Sequence, residues 1–361
     1  MRVTRRQWLT WAAGSALWLA AGCQPRPAPP APALNEAPVA PSSGAGGSTQ
    51  ATPPPAGDGL SQTVRVTPTN EFFIVAIGAA DHRVAMDTWR FELTGRVDRP
   101  LSLTLADIRA LPSVQFMRTL ECISNPAGGD LIGNAWWEGV SMAALLDMAG
   151  VQRGAVEVKV YGDDGFKTSI PLDLARDPHA YLTHGMNGAP LPVEHGHPLR
   201  VMWPGRYGMK QPKWVTRIEV LDEPYLGHWE KQGWTNEAVI KPNSQIRVPN
   251  DGARVGLGPL TISGTAFADP SGVAQVEVSV DDGQTWQPAE LIRAPEPFRP
   301  TVWTEWRATW TPQTTGRVTL AARVTDGASR VQERRAFSLL GGTFPDGTDG
   351  IHSITVTLES R

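Results

Sequence analysis

Arg118-Thr119-Leu120-Glu121-Cys122-Ile123-Ser124-Asn125-Pro126-Ala127-Gly128-Gly129-Asp130 is the stretch on which the reading of this chain turns. It reads as an extended strand running into a Gly/Pro loop, which sets the Cys122 sulfur at a strand end, where functional sites are usually built. The chain has two cysteines, so it is no disulfide-stapled scaffold. If Cys23 is lipidated or removed, Cys122 is the remaining thiol of an exported protein. Such a thiol is oxidisable, and three readings stand: buried and inert, ligated, or a nucleophile. A Cys–His nucleophile needs a histidine base that the sequence does not assign. Zinc would need three further ligands, and Glu194-His195-Gly196-His197 offers only a non-specific pair.

Around this stretch, from residue 88 to about 220, strand-like runs alternate with short helical ones. Trp89–Leu93 and Val156–Val160 alternate apolar and polar residues, Ser141–Met148 reads as a short helix, and Ser102–Leu111 as another, ended by Pro112. That is a mixed α+β domain. After about residue 236 the character changes. Val276, Val278 and Val280 alternate with polar residues before an Asp281-Asp282-Gly283-Gln284 turn and Trp286. Val318 to Val324 and Ile354 to Leu358 repeat the period. Short strands with Asp-Gly turns and no helix predict an all-β immunoglobulin-like sandwich.

Composition agrees with two domains in 361 residues. The net charge of −3 gives no footing for nucleic acid, and 36 Gly with 32 Pro favour a loop-rich, β-rich protein over a helical bundle. The chain opens with Thr4-Arg5-Arg6-Gln7-Trp8-Leu9, a twin-arginine pattern, then an apolar run from Trp11 to Ala21 too short for an ordinary ~20-residue span. Leu19-Ala20-Ala21-Gly22-Cys23 resembles a bacterial lipobox, in which Cys23 would be lipidated. Residues 24–57 hold ten prolines and only Leu34 and Val39 as large aliphatics, so they read as a disordered tether. The expected layout is a signal peptide over 1–23, the tether over 24–57, a catalytic domain over 58–235 and the sandwich over 236–361.

Several motifs in order carry a resemblance. Thr119-Leu120-Glu121-Cys122-Ile123-Ser124-Asn125, Gly133-Asn134-Ala135-Trp136-Trp137-Glu138-Gly139-Val140, Met186-Asn187-Gly188-Ala189-Pro190, His195 to Arg200 and Pro204-Gly205-Arg206-Tyr207-Gly208-Met209-Lys210-Gln211-Pro212-Lys213-Trp214 resemble the molybdopterin-binding core of the sulfite oxidase family. Val276 to Trp286 is similar to that family's dimerisation domain, and the resemblance spans roughly residues 65–361. It implies a molybdenum–molybdopterin cofactor with Cys122 as the protein's thiolate ligand, a soft donor held deprotonated by the metal. It further implies cofactor contacts from Asn70, Phe72, His195, Arg200, Gly208, Lys210 and Lys213, and a homodimer. Trp137 matches a family tryptophan near the substrate pocket, and Trp234 stands where the family has a tyrosine beside the metal.

The departures bear on substrate. Sulfite-oxidising members place one arginine where this chain has Pro126 and Ala127, and another where it has Val75. A small dianion needs charge-assisted donors. The pocket is therefore expected to suit a less charged oxo donor or acceptor, such as a sulfoxide, an N-oxide or an organic sulfur compound, with Arg206 and Arg118 as the candidates for replacement charge. Sulfite dehydrogenase proper and a non-catalytic lipoprotein module are the other readings. No Cys-x-x-Cys-His haem motif, flavin or iron–sulfur signature occurs in the sequence, so electrons are expected to pass to or from a separate cytochrome or membrane subunit.

Overall fold

A computed structural model describes residues 64–334 and 342–360. The signal peptide, Cys23 and the tether lie outside the described residues.

In the first domain the strands are β1 (Phe91–Gly95), β2 (Leu101–Leu103), β3 (Ser113–Glu121), β4 (Ile132–Ser141), β5 (Glu157–Gly162), β6 (Lys167–Pro171), β7 (Tyr181–Met186), β8 (Ala189–Pro190), β9 (Arg200–Met202) and β10 (Val215–Leu221). One sheet runs β2-β1-β10-β5-β6, with β1 and β10 parallel; the other runs β3-β4-β7-β8, and β9 adds along β7. On β5, Val158 and Val160 are fully buried while Lys159 and Tyr161 face outward, the period-2 signal made real.

The helix Met142–Ala149 starts where Ser141 accepts a hydrogen bond from the Ala144 N–H, and stops at Gly150, which takes the left-handed conformation with φ 69°. Its Leu145 and Leu146 are buried against β1, β5 and β10, and truncating either to alanine removes about 2–5 kcal/mol. The second expected helix is shorter than read. Leu101–Leu103 is strand β2, paired to β1, and the helix is Leu105–Ala110, begun by a Thr104–Asp107 capping box. Thr104 wins as N-cap because its side chain satisfies an otherwise orphaned helix N–H, which leaves Ser102 and Leu103 to the ladder.

β3 and β4 form a long hairpin, in register from Ser113↔Val140 to Glu121↔Ile132. The Cys122 N–H extends the ladder by donating to the Leu131 carbonyl at 2.9 Å, so the Gly/Pro stretch is the loop at the hairpin tip.

The second domain comprises β11 (Asn243–Val248), β12 (Arg254–Gly256), β13 (Leu260–Phe267), β14 (Val273–Ser279), β15 (Gln287–Pro288), β16 (Glu290–Ile292), β17 (Thr304–Trp310), β18 (Gly316–Asp326) and β19 (His352–Glu359). Two sheets, β11-β13-β17-β16 and β12-β19-β18-β14-β15, close over a core of Ile262, Val276, Trp306, Leu320, Val324 and Val356. The alternating residues read from the sequence are its inward face. The junction between the domains is packed and hydrogen-bonded. Thr119 of β3 donates its N–H to the Thr301 carbonyl at 2.9 Å, and its hydroxyl accepts from the Trp303 N–H at 2.9 Å. Met117, Ile123, Ile132 and Trp234 share one apolar cluster with Phe267, Val302 and Trp303.

Candidate functional site

The hairpin tip delivers Cys122 to the wall of a cleft that is partly open to solvent. The residue is 7% exposed, and its Sγ lies 3.1 Å from the Ser124 hydroxyl. Gly208 brings a second loop against it: a side-chain carbon there would sit 3.4 Å from the Glu121 carbonyl oxygen, already at van der Waals contact.

Three basic residues make another part of the wall. His195 ends a 3-10 turn, Arg200 opens β9 and Lys213 precedes β10. Gly196 joins them at φ 113°, and an added Cβ would meet the Lys213 Cβ at 3.1 Å and the Arg200 Cβ at 3.3 Å, so glycine is required for the approach. Arg200 donates to the His195 carbonyl at 3.2 Å and lies over the Trp137 ring at 5.1 Å, while its Nε is buried with no hydrogen-bond partner. Lys213 donates to the Glu194 carbonyl at 2.8 Å and stands over the Trp214 ring at 4.1 Å. Among the described residues no carboxylate forms an ion pair with either cation.

The electrostatics follow from that arrangement. Burial, and then the Arg200 charge, push Lys213 down to about 7; burial lowers Arg200 to about 10. Burial also holds His195 down to about 4, so it is neutral at pH 7. Its Nε2 lies 3.1 Å from the Thr69 carbonyl, which can only accept, so that nitrogen carries the proton. Two buried cations, one with an orphaned guanidinium nitrogen and neither ion-paired with a carboxylate, make a site for an anionic group.

Most of the rest of the wall is apolar, although Ser124, Asp164, Glu194 and Gln211 also line it. Phe73, Val75 and Ile77 line it from the segment after Phe72, and Trp229 and Trp234 line it from the segment before the second domain. Trp234 is edge-on to Phe344 with ring centres 5.2 Å apart. Trp214 takes φ 51°, an uncommon backbone for so bulky a residue, and its indole N–H donates to the Val193 carbonyl at 2.7 Å.

Four expected contacts fall elsewhere. Lys210 does not line the cleft: its ammonium is buried and donates to Glu230, to Thr168 Oγ1 at 3.2 Å, to the Ser169 carbonyl at 3.0 Å and to Asn236 at 2.9 Å. Trp137 is 1% exposed, with its indole donating to the Arg118 carbonyl at 3.0 Å, so it underlies Arg200 and has no face on the cleft. Successive β4 residues point to opposite faces, which turns Trp136 to Phe298 and Trp137 inward. Asn70 is exposed outside the cleft, and Phe72 is wedged edge-on between Trp137 and His195, leaving the wall to Phe73. Arg118 and Arg206 are also absent from the wall: Arg118 donates to the His179 carbonyl at 2.7 Å, and Arg206 turns back to the Gly205 carbonyl at 3.2 Å. Pro126 and Ala127 are exposed at the hairpin tip, whereas Val75 is on the wall. Sequence reasoning missed Phe73, Trp214 and Trp229 as wall residues; only the density of aromatic residues near the motifs hinted at them.

Comparison with known proteins bears on this geometry. Residues 78–229 match a family described as "Oxidoreductase molybdopterin binding domain", and residues 232–344 match "Mo-co oxidoreductase dimerisation domain". The chain is 32% identical over 248 residues to the mitochondrial sulfite oxidase of Homo sapiens, which covers 57% of this chain and 46% of that protein. It thus spans less than half the length of that relative. It is 31% identical over 177 residues to the uncharacterized oxidoreductase YuiH of Bacillus subtilis, covering 48% of this chain and 87% of YuiH. The fold is shared with the sulfane dehydrogenase SoxCD of Paracoccus pantotrophus, at TM-score 0.69 and 24% identity over 80% of each chain. The residues present fit a molybdenum–molybdopterin group: Cys122 would be its thiolate donor, and Arg200 and Lys213 would answer its phosphate, giving Arg200 Nε the partner it lacks among the described residues, with His195 packed beside them.

Proposed function

We propose a function for this chain, which belongs to the sulfite oxidase family of molybdopterin oxidoreductases: two-electron oxygen-atom transfer on a small neutral or weakly charged sulfur or nitrogen oxo compound. The bound molybdenum cofactor supplies the oxo-transfer and redox chemistry. Cys122 fixes the metal as a thiolate, and the basic group around Arg200 anchors the cofactor's phosphate. Burial keeps His195 neutral, so its Nε2–H stays committed to the Thr69 carbonyl and orients the ring. Phe73, Val75, Trp229 and Trp234 offer indole and aliphatic faces to substrate.

The observation that carries the substrate reading is the cleft wall itself. Its Arg and Lys cations are Arg200 and Lys213, both in the anion-holding group, and the position facing substrate from the first aromatic segment is Val75. Each lost charge-assisted hydrogen bond to an anion is worth roughly 1.5–3 kcal/mol, so the donor missing at Val75 lowers kcat/KM for sulfite by about one to two orders of magnitude. The proposed setting is the outer face of a membrane, reached by twin-arginine export through Arg5-Arg6 and held by a lipid on Cys23. The proposed partners are a second copy of the chain and a separate redox protein, a cytochrome or a membrane subunit, that exchanges the electrons.

The test is metal and pterin content together with steady-state kinetics on sulfite, sulfoxides and N-oxides with an artificial electron carrier. One molybdenum and one pterin per chain are expected, lost together with turnover in Cys122→Ser. A micromolar KM and fast turnover with sulfite would make the enzyme a sulfite dehydrogenase instead.

A further inference from the structure

The Cys122 loop is held in shape from the second domain, and we infer that Glu121 and Asn243 are positioning residues for the Cys122 thiol. For its functional meaning this rests on Cys122 being the metal ligand.

Inside the loop the closing residue is Asn125. Its backbone N–H donates to the Cys122 carbonyl at 3.0 Å, and its Oδ1 accepts from the Leu131 N–H at 3.0 Å. Its remaining donor, Nδ2, goes to Glu121 Oε1 at 2.9 Å. Glu121 is in turn gripped from across the domain boundary: Asn243 Nδ2 lies 3.1 Å from Oε1 and 2.9 Å from Oε2. All three side chains are buried, at 3%, 3% and 7% exposure for Glu121, Asn125 and Asn243. Buried polar atoms without partners are costly, so each member of this chain fixes the next. Asn243 does not drift, because it opens β11 in register with Phe267 of β13 in the sandwich.

The outer side of the loop is wedged against the same domain. A Cβ on Gly128 would fall 2.3 Å from the His352 ring of β19, and one on Gly129 would fall 2.5 Å from Asn125 Oδ1. Arg247 of β11 also pairs with Asp130 at 2.6 Å, although Asp130 is largely exposed and that contact is weak. The sandwich thus supplies a residue the metal site needs, in addition to covering it.

The readout is the alkylation rate of Cys122 by iodoacetamide in the cofactor-free full-length chain, followed by peptide mass mapping so that Cys23 does not contribute. A buried thiol reacts through local opening of its loop, so the rate reports loop integrity. Asn243→Ala is expected to speed the reaction about fivefold, the worth of one buried hydrogen bond, and Glu121→Ala likewise. Glu121→Gln keeps an acceptor oxygen for both amides and is expected to stay within about twofold of the unaltered chain. Val356→Ala, a core truncation in the sandwich remote from the loop, controls for general loss of stability and is expected to leave the rate unchanged. Where the alanine variant does not fold, Asn243→Ser, too short to reach Glu121, carries the same expectation. In cofactor-loaded protein, molybdenum retained after gel filtration should fall in Asn243→Ala. Alkylation in the Asn243 variants no faster than in Val356→Ala overturns the inference. A chain that binds no molybdopterin would sink the proposed function and leave the alkylation result standing.

Discussion

Lys210 and Lys213 stand three residues apart in one glycine-containing segment, and the fold gives them opposite fates. Lys210 has a carboxylate of its own: Glu230 reaches it from the turn Glu230–Gln232, with both side chains 1% exposed, and Thr168, Ser169 and Asn236 complete the ammonium's hydrogen bonds. Lys213 has a carbonyl, an indole face, the repelling charge of Arg200 and the smaller attraction of Asp164 and Glu194, neither of which is ion-paired with it. A buried cation whose counter-ion is part of the protein is structure; a buried cation without one is a binding site for an anion. The pair at Lys210 still matters for the cleft, because Glu230 anchors the segment that carries Trp229 and Trp234 onto the wall.

Breaking the first pair should produce the largest effect. Lys210→Met leaves Glu230 buried without its cation and should cost about 3–5 kcal/mol in chemical denaturation, much of it recovered by adding Glu230→Leu. An equal loss in single and double variants would mean the pair is not the source. Lys213→Met should do the reverse: no loss of stability, because a buried cation is removed, but inorganic phosphate bound to the cofactor-free protein roughly tenfold to a hundredfold more weakly. If Lys213→Met unfolds the protein while phosphate affinity holds, the two lysines have been assigned the wrong way round.

A third cation placed on the wall by substitution should behave like Lys213. Val75→Arg puts a guanidinium where sulfite can meet it and should raise kcat/KM for sulfite about tenfold, measured with an artificial acceptor. Ala127→Arg, exposed at the hairpin tip, should leave that ratio unchanged. The smallest effect concerns protons. With Lys213 at about 7, the residue is mostly neutral at pH 8, and a bound phosphate would draw its proton back. Binding of sulfate, a dianion at both pH values, should take up close to one proton at pH 8 and almost none at pH 6, read by calorimetry in buffers of different ionisation heat. The same lowered value means the unfolded chain holds this proton between about pH 7 and 10.5 while the folded one does not. The residue's penalty on folding is therefore full below about pH 7, and stability rises as pH climbs through that window.

The difference between the lysines marks how far the sequence reaches. Local pattern fixed the strand that ends at Cys122, the helix begun by Ser141 and ended by Gly150, and the alternation of Val276, Leu320 and Val356 that makes the sandwich, because each is decided by neighbours within a few residues. The motifs likewise brought Cys122, His195, Arg200, Gly208, Lys213 and Trp234 to one cleft. What only the tertiary structure decided is which side of each motif faces that cleft. Lys210 turns from it toward a glutamate twenty residues on; Trp137 points inward because β4 alternates its faces; and Asn243, which reaches the cysteine loop through Glu121, comes from another domain more than a hundred residues away. A buried charge or amide takes its role from the partner that satisfies it, and that partner is set by folding across the chain, where no local period can record it.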